Sequence, residues 1–575
     1  MQSRPSAAKK IVGRPDHSDT AEAKRAKTFT RSAIAHSLRK VHRNAFAQRW
    51  FPATSTTCHV DLAGFPGNYP STHRRSYMHD RCAAPDGTGE NMARSAQPRP
   101  WAFSGRSLAA LYLILTAGPV LLASLSGGLN SPTVYPILAR ATGVAALAMF
   151  MMQFATSGRF EVISGRIGLD RTMGFHRLAA VGALWMILLH VVFFLFRGRD
   201  GSLDMLWQRL VLYMTTPDLA SGIVAAGLAV ILVVTGKHLR GRIIPYQAWR
   251  IGHGILAVAL VVLSLQHAFT HARFMADPFG ASAILAVALL ALSSLLVVYV
   301  LRPLQAFRPG FRVESARALS PSVAELVLTT DRPERFRFSA GQFVWLTIGR
   351  RHTVTDNPFS IASAPSDLPR LRFLIRNAGD MTAAVPRLAP GTPVGVDGPH
   401  GSFTLQEAGP GPLLLLAGGI GIAPVISLLG ELAAARDTRP IRLIAGARGP
   451  QDHVVRGEIP PLMAGLDFSA IFLADRDGDG ENCETGACSP DHVRRALGGL
   501  DPGQTTAFVC GPPPMMESAV AILLEAGLPL DGIVMERFDF DAGNDAVCHA
   551  VRRRFVALMA TVFASVLSVA LIAAG

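Results

Sequence analysis

The sequence predicts a multi-domain membrane protein, in which an all-α bundle of six transmembrane helices is followed by a small antiparallel β-barrel and an α/β domain with a mostly parallel sheet. The chain has 575 residues, which is more than one ordinary domain holds. Hydrophobic residues make up 49% and charged residues only 17%, and the mean hydropathy is +0.30. These values exclude a disordered chain. After residue 302 the long apolar runs give way to short alternating ones, so soluble domains follow the membrane part.

The first hundred residues are polar and basic. They hold 17 Lys and Arg against 7 Asp and Glu, a net charge of +10 out of +15 for the whole chain. We interpret 1–100 as a basic, disordered tail, with binding to anionic lipid as the alternative. Because the positive charge belongs mainly to this tail, it does not indicate a nucleic-acid-binding face, and we expect no nucleic-acid partner. No signal-peptide core is visible before residue 108.

Six apolar runs of about 20 residues follow, each long enough to cross the hydrocarbon of a bilayer. They define a helical domain over 101–305, with spans predicted at 107–125, 137–156, 178–196, 219–236, 253–270 and 281–301. The loops at 157–177 and 237–250 carry eight Lys and Arg, whereas the opposite loops carry four. This asymmetry predicts that both ends of the domain, and the domains that follow, are cytoplasmic in a bacterial inner membrane.

An extension over 542–575 ends the chain. Its last 21 residues, 555–575, are uncharged and follow three consecutive arginines. The pattern predicts a seventh transmembrane helix that runs outward from the cytoplasm.

Four histidines occupy matched positions in the third and fifth spans. His176 and His190 are 14 residues apart, and so are His253 and His267. Fourteen residues turn a helix by about 1400°, about 40° short of four turns, so both histidines of a helix face the same way, about 21 Å apart. Two such helices can face each other and offer two stacked histidine pairs. Pairing is expected because an ionisable group without a partner is costly in hydrocarbon.

Imidazole is a common axial ligand of haem iron, and cofactors often lie between bundle helices. We therefore predict two b-type haems, an inner one held by His176 and His253 and an outer one held by His190 and His267. His271 lies one turn beyond His267 and is an alternative outer ligand. The six cysteines form no CxxC or CxxCH motif, which argues against c-type haem, a zinc ribbon and a four-cysteine iron–sulfur cluster.

Short strand-like runs over 309–408 predict the antiparallel barrel. This part carries four motifs in order: Asn357 to Ser363, Leu374 to Arg376, Gly379 to Thr382 and Gly398 to Gly401. In these motifs the chain resembles the FAD domain of ferredoxin reductases. With the six-helix domain ahead of it, the chain resembles the membrane NADPH oxidase/ferric reductase superfamily over about 105–540.

The resemblance implies an FAD site in the barrel. An aromatic side chain suits the isoalloxazine ring, while a guanidinium group and turn amides suit the pyrophosphate. The family usually has His or Arg where this chain has Asn357, so one flavin contact differs from the family pattern. The implied FAD contacts are Pro358, Phe359, Ser360, Arg376, Gly379, Met381, Thr382, Gly398 and Gly401.

Buried strands alternate with helices over 409–541, which predicts a nucleotide-binding α/β domain. Strand Leu413–Ala417 leads through a glycine-rich turn into a helix, whose N-terminal amides can approach a pyrophosphate. The turn is not GxGxxG, but it resembles the nicotinamide half of the same reductases, as does the CGPPPM motif at 510–515. The implied NAD(P)H contacts are Gly418, Gly419, Gly421, Pro424, Arg448, Gly511 and Pro512.

Two residues are implied as catalytic. Cys510 would lie near the nicotinamide, although a buried small thiol at a strand end is the alternative. Phe538, in the segment 536–540, would cover the flavin until the nicotinamide displaces it. Arg448 either meets the 2′-phosphate of NADPH or lies on the surface, so NADPH and NADH stay open as electron donors.

The order of domains predicts a function. A flavin accepts hydride and releases single electrons, whereas a haem accepts one electron at a time. We expect a transmembrane oxidoreductase that moves electrons from NAD(P)H through FAD and two haems to dioxygen or a ferric chelate. The alternatives are a haem-free, membrane-anchored flavin reductase and a redox-sensing membrane protein. The sequence indicates neither the acceptor nor the oligomeric state.

Overall fold

The computed structural model describes residues 103–157, 160–165, 167–197, 202–239, 246–349, 356–478, 483–537 and 545–574, all within one compact unit. The tail predicted over 1–100 and the candidate Phe538 lie outside the described residues.

The N-terminal half is helical and apolar, as predicted. Its helices are α1 (Gly105–Leu125), α2 (Val134–Ser157), α3 (Leu169–Leu195), α4 (Leu203–Thr215), α5 (Ala220–Val234), α6 (Tyr246–His271) and α7 (Pro278–Leu296). Short helical segments at Glu161–Ser164, Thr235–Leu239, Val297–Leu301 and Arg302–Ala306 lie between or after them. All but α4 belong to segments long and apolar enough to cross a membrane. In α2, 78% of an apolar 18-residue stretch is buried, so this helix lies at the centre of the bundle.

Among the first six predicted spans, the third and the fifth begin much earlier as helices than their apolar runs indicate. The third span was predicted from residue 178, but α3 begins at Leu169, and α6 begins at Tyr246 rather than at 253. The extra turns carry charged side chains such as Asp170 and Arg250, which end an apolar run without ending a helix. His176 therefore lies inside α3, and His253 lies inside α6.

The segment after the bundle is rich in antiparallel strands. They are β1 (Arg312–Ala318), β2 (Val323–Thr329), β3 (Phe343–Ile348), β4 (Asn357–Ser360), β5 (Arg370–Arg376) and β6 (Val394–His400). They form two three-stranded sheets, ordered β1-β2-β5 and β4-β3-β6. Two isolated bridges, Arg312 to Pro393 and Ile361 to Phe373, join the sheets. Both sheets contribute to one apolar core, which includes Leu326, Val344 and Phe373.

The next segment confirms the predicted parallel sheet. Its strands are β7 (Leu413–Gly418), β8 (Ile441–Ala447), β9 (Phe468–Ala474), β10 (Glu484–Thr485), β11 (Thr506–Cys510) and β12 (Ile533–Met535), and its helices are α8 (Ile422–Ala434), α9 (Pro490–Leu497) and α10 (Pro513–Glu525). The strand order is β10-β9-β8-β7-β11-β12, and every pair is parallel. The direction of winding reverses between β7 and β11, and such a switch point is where open α/β sheets bind ligands.

The C-terminal extension forms α11 (Ala546–Ile572), the seventh helix that can span a membrane. It begins earlier than the predicted 555, because the Asp545 side chain caps it by accepting a hydrogen bond from the Cys548 amide at 2.9 Å. Its inward face, which includes Met559, Val562 and Val566, is part of the apolar core of the bundle. The seventh helix is therefore packed into the same bundle as the other six.

Candidate functional site

The glycine-rich turn after β7 and the CGPPPM motif after β11 meet at the switch point of the parallel sheet. A Cβ atom on Gly418 would lie 2.9 Å from Pro512 Cδ and 3.4 Å from Gly511 Cα. A Cβ on Gly421 would lie only 2.2 Å from the carbonyl oxygen of Cys510. The carboxyl ends of β7 and β11 thus approach each other so closely that only glycine fits between them. The structure brings together the two motifs that the sequence singled out separately.

This close approach gives a first prediction. The Gly421→Ala substitution should lower stability by about 1–3 kcal/mol, because the added methyl group overlaps a backbone carbonyl that cannot move freely. We expect a lower melting temperature in detergent and weaker nucleotide binding. Gly457→Ala is the matched control, since no atom lies within 4 Å of its Cβ position. Equal melting temperatures for the two variants would contradict a rigid contact at Gly421.

Other predicted nucleotide contacts differ in their exposure. Gly419 is exposed, has φ +53°, and lines a cleft at the carboxyl ends of β7 and β8. Arg448 directly follows β8 and is exposed, so its side chain is available to a ligand. Pro424 is buried in the first turn of α8, which makes it a packing residue of that turn.

Cys510 is the last residue of β11 and is only 2% exposed. Burial, together with the nearby Glu536 carboxyl group, raises the pKa of the Cys510 thiol. The thiol therefore stays protonated at neutral pH. A protonated thiol can contact a nicotinamide ring, but it is a poor nucleophile.

Glu536 lies at the candidate site, although the sequence analysis gave it no role beyond its place in the segment 536–540. It is 4% exposed, and its Oε2 atom has no hydrogen-bond partner in the described part of the chain. A Cβ on Gly401 would lie 2.5 Å from Glu536 Oε1, so the glycine predicted to contact FAD makes room for this carboxyl group. Burial, then the nearby Asp170 of α3, raise the pKa of Glu536 well above its usual value. Residues of three domains therefore meet at Glu536.

A buried ion pair joins the end of the parallel-sheet segment to the seventh helix. Arg537 Nη2 donates a hydrogen bond to Asp545 Oδ2, and both side chains are almost fully buried. Because Asp545 also caps α11, the Glu536–Arg537 segment is fixed to that helix.

The FAD motifs lie on β4, β5 and β6. On β4, Pro358 and Phe359 are half-buried, and Ser360 is buried. Arg376 is exposed at the end of β5. A Cβ on Gly398 would lie 2.9 Å from Val344 Cγ1, so this glycine allows β6 to pack against β3.

In the turn after β5, some backbone amides form hydrogen bonds within the turn itself. Thr382 Oγ1 accepts hydrogen bonds from the amides of Ala378 at 2.8 Å and Gly379 at 3.0 Å. One of the amides expected to bind pyrophosphate, that of Gly379, is thus bonded internally. Arg376 and the first amides of the short helix Asp380–Ala384, which include that of Met381, are left for such a ligand.

The four bundle histidines form two pairs in the structure. His176 on α3 interacts electrostatically with His253 on α6, and His190 interacts in the same way with His267. His190 Nδ1 is 2.7 Å from the carbonyl oxygen of Ala139. The Nδ1 atoms of His253 and His267 are buried and have no hydrogen-bond partner among the described residues.

Glycines allow two of these imidazole rings to lie against neighbouring helices. A Cβ on Gly143 of α2 would lie 2.5 Å from His190 Nδ1, and a Cβ on Gly222 of α5 would lie 2.8 Å from His267 Cε1. His271 is bound differently, because its Nε2 atom is 2.8 Å from the carbonyl oxygen of Asp218. The described residues contain no group of three or more His, Cys, Asp or Glu suited to a metal ion, whereas a haem iron between two helices needs only two imidazoles.

Ion pairs connect the FAD motifs to the bundle. Arg250 Nη1 of α6 is 2.7 Å from Asp356 Oδ1, and Asp356 directly precedes the Asn357 to Ser363 motif. The Arg250 guanidinium also lies 5.9 Å from the centre of the Trp345 ring. The Trp249 ring centroid is 4.9 Å from that of His253. A few residues thus link the FAD motif on β4 to the inner histidine pair.

A second ion pair lies beside the first. Arg302 Nη1 is 2.8 Å from Asp397 Oδ1 on β6. Apolar contacts of Leu169 and Met173 with Phe343 and Trp345 complete the interface.

Three family models match consecutive parts of the chain. Residues 142–264 match the ferric reductase like transmembrane component. Residues 310–405 match the oxidoreductase FAD-binding domain, and residues 415–521 match the oxidoreductase NAD-binding domain. The helical bundle and each of the two segments after it therefore match a known domain family.

Curated relatives match about two fifths of the chain. The chain is 31% identical over 233 residues to the reductase component of propane 2-monooxygenase from Rhodococcus jostii, covering 40% of this chain and 62% of that protein. It is 30% identical over 235 residues to ferredoxin–NADP reductase B from Sorangium cellulosum, covering 40% of this chain and 96% of the relative. The chain thus spans about three fifths of the first relative and nearly all of the second.

A solved structure of ferredoxin NADP⁺ reductase from Neisseria gonorrhoeae with bound FAD and NADP covers 39% of this chain and 96% of its own, with 21% identity and a TM-score of 0.36. Flavohemoglobin from Malassezia yamatoensis covers 73% of this chain and 98% of its own, with 19% identity and a TM-score of 0.40. The family assignment rests on the order of the three family matches and on ferredoxin–NADP reductase B, of which 96% is covered. The chain belongs to the NADPH oxidase/ferric reductase superfamily and is an integral membrane protein that joins a ferric reductase-like transmembrane domain to FAD- and NAD-binding domains of the ferredoxin reductase type.

Proposed function

We propose that this protein carries electrons from cytoplasmic NAD(P)H through FAD and two b-type haems to dioxygen or a ferric chelate on the opposite face of the membrane. The observation that carries the proposal is the pairing of His176 with His253 and of His190 with His267 between α3 and α6. The inner pair lies beside the FAD motif, through Arg250 and Asp356. This link supports a path in which electrons pass from the flavin domain to the inner histidine pair.

The donor atoms at the histidine pairs fit haem iron. His190 donates its Nδ1–H to the Ala139 carbonyl oxygen, which leaves Nε2 as the nitrogen available to a metal. The Nδ1 atoms of His253 and His267 are buried and have no hydrogen-bond partner among the described residues, and a buried polar atom without a partner is costly. His271 already bonds Asp218 through Nε2, which favours His267 as the outer ligand.

The residues of the soluble half have separate roles. FAD, when bound, accepts hydride and releases electrons singly, and haem accepts them one at a time. Gly418, Gly419 and Gly421 shape the turn that receives the nicotinamide nucleotide. Cys510 lies where the nicotinamide ring would contact a protonated thiol. Arg376 would bind the FAD pyrophosphate as a guanidinium fork.

The choice of nucleotide depends on Arg448. This exposed side chain follows β8, and an arginine near the nucleotide turn can accommodate a 2′-phosphate, so we propose NADPH as the preferred donor. Phe538 is proposed to cover the flavin ring in the absence of nucleotide.

One sequence of additions tests the whole proposal. Purified protein is given NADPH or NADH anaerobically while flavin and haem absorbance are followed, and dioxygen or ferric citrate is then admitted. We expect flavin to be reduced first, haem second, and both to be reoxidised by the acceptor. If dithionite-reduced membranes show no b-type haem spectrum, the protein is instead a haem-free, membrane-anchored flavin reductase.

The glycine beside His267 gives a sharper prediction. The Gly222→Ala substitution should displace the His267 ring, because the new methyl group would lie 2.8 Å from that ring. We expect about half the haem per polypeptide, measured by the pyridine haemochrome assay, with flavin content unchanged. Gly227→Ala on the same helix is the control, since nothing lies within 4 Å of its Cβ position. Equal haem content in both variants would count against His267 as a ligand.

A further inference from the structure

Helix α4 (Leu203–Thr215) lies at the end of the bundle that faces away from the FAD domain. The first turns of α3, at Leu169 and Met173, contact strand β3 of the FAD domain, and α4 follows the opposite end of α3. Its 13 residues form a helix about 20 Å long, whereas the hydrocarbon of a bilayer is about 30 Å thick. Helix α4 is therefore too short to cross the membrane, although most of its residues are apolar.

One side of α4 carries a row of exposed apolar side chains. Leu203 is 83% exposed and Trp207 is 65% exposed, and Val211 and Met214 are exposed as well. Their spacing along the helix places these four side chains on the same side. We call this row the apolar face of α4. No residue of α4 is buried, so no other described part of the chain covers this face.

A row of polar side chains lies beside the apolar face. Asp204, Gln208 and Thr215 are exposed, and helical geometry places them together, about a quarter of a turn around α4 from the apolar face. Leu212 is exposed at the far edge of this polar row. The exposed half of α4 thus has an apolar side and a polar side, which is the pattern of a helix that lies between hydrocarbon and water.

The remaining side of α4 is attached to α3. Arg209 Nη1 donates a hydrogen bond to the carbonyl oxygen of Leu195 at 2.7 Å, and the Tyr213 hydroxyl group donates one to that of Phe194 at 3.4 Å. Both carbonyl groups belong to the last turn of α3, where they lack the amide partners that a continuing helix would supply. These hydrogen bonds determine which side of α4 faces away from the bundle.

The surface next to α4 indicates what covers its apolar face. Helix α4 connects α3 and α5, and both of these membrane-spanning helices expose large apolar side chains, among them Trp185, Leu188 and Val224. In a membrane-spanning bundle such side chains face lipid. The apolar face of α4 is therefore next to a surface that lipid already covers. Its Trp207 is of the residue type that is enriched at the boundary between membrane and water.

We propose that α4 is an interfacial helix, whose apolar face inserts about 5–10 Å into the boundary between lipid headgroups and acyl chains while its polar row faces water. The partner is the lipid surface itself, and the inference depends on neither haem nor FAD. Lipid contact at α4 would also hold the last turn of α3 in place. In that turn the Phe194 ring packs edge-on against the ring of His190, with centroids 5.1 Å apart.

The test uses the full chain in lipid nanodiscs. The difference in tryptophan fluorescence between the wild type and Trp207→Phe isolates the emission of Trp207, and Trp185→Phe isolates in the same way a tryptophan within the span of α3. Three quenchers are compared: phosphatidylcholine brominated near the headgroup, phosphatidylcholine brominated near the chain ends, and aqueous acrylamide. Gln208→Trp, made in the Trp207→Phe protein, is the matched control, because it moves the indole by one residue onto the polar row. Melting temperature and flavin content check that the variants are folded.

We expect bromine near the headgroup to quench Trp207 more strongly than bromine near the chain ends, with little quenching by acrylamide. Trp185 should show the opposite preference between the two lipids, and the indole introduced by Gln208→Trp should be quenched mainly by acrylamide. Quenching of Trp207 by acrylamide alone would place the apolar face in water and overturn the proposal. Protection of Trp207 from all three quenchers would overturn it too, because a protein surface such as a second copy of the chain would then cover the face. A stronger effect of chain-end bromine on Trp207 would contradict an interfacial position.

Discussion

Replacing His176 or His253 by alanine should stop electrons at the flavin. Each variant removes one imidazole of the inner pair, and the remaining histidine would face a cavity in hydrocarbon. We expect the loss of one of the two haems. The rate of acceptor reduction should fall more than about 100-fold, because removing a residue that only hydrogen-bonds a metal ligand already lowers metal affinity or activity about 10- to 100-fold. NAD(P)H should still reduce the flavin at the wild-type rate, because no histidine of the bundle belongs to the soluble half.

Stopped-flow absorbance separates these steps by following flavin and haem signals after anaerobic mixing with NADPH. His271→Ala is the matched control, because its imidazole lies in the same helix but bonds the Asp218 carbonyl. It should keep both haems. Full haem content in His176→Ala, or unchanged acceptor reduction, would rule out the inner pair as an iron site and leave the soluble half as a tethered flavin reductase.

Periodicity was enough to predict the helical half, and it is also the basis of the histidine pairing, which stays a prediction. The spacing of 14 residues on two helices fixes which faces can meet, and it does so without any knowledge of loop structure. The ends of the helices were harder to predict from the sequence. An apolar run reports how much of a helix lies in hydrocarbon, so the charged turns before His176 and His253 were not recognised as helical.

Contacts between domains could not be read from the sequence. Gly401 stands in a motif that resembles a flavin-binding turn, yet the atom nearest to its missing side chain belongs to Glu536, more than a hundred residues later. Thr382 likewise matched a phosphate-binding turn, while its hydroxyl group bonds amides of the same turn. Both cases depend on the three-dimensional path of the chain, which local spacing does not determine.

The seventh helix shows the same limit. Its presence and apolarity were predicted, but its role depends on Arg537 and Asp545, which form a buried ion pair at the junction with the parallel-sheet domain. A family pattern that ends before this helix contains no information about such a pair. The helix is joined to the bundle core by Val562 and Val566 and to the reductase by the ion pair, so it fixes one against the other.

Breaking the Arg250–Asp356 pair should slow electron transfer from flavin to haem without changing hydride transfer. The Asp356 side chain is only 1% exposed, and loss of the partner of a buried charge costs about 3–5 kcal/mol. Arg250→Gln therefore should loosen the FAD domain from α6, three residues before His253. The rate of haem reduction should fall at least about tenfold, while the rate of flavin reduction by NADPH and the KM for NADPH stay constant.

A double charge reversal makes this test specific. Arg250→Asp combined with Asp356→Arg restores opposite charges, so haem reduction should recover partly relative to either single reversal, and the difference measures their coupling energy. The Arg494–Asp491 pair, with both side chains about three quarters exposed, is the control and should show almost no coupling. A coupling energy near zero at Arg250 and Asp356 would mean that the apolar contacts of Leu169 and Met173 alone hold the flavin domain against the inner histidine pair.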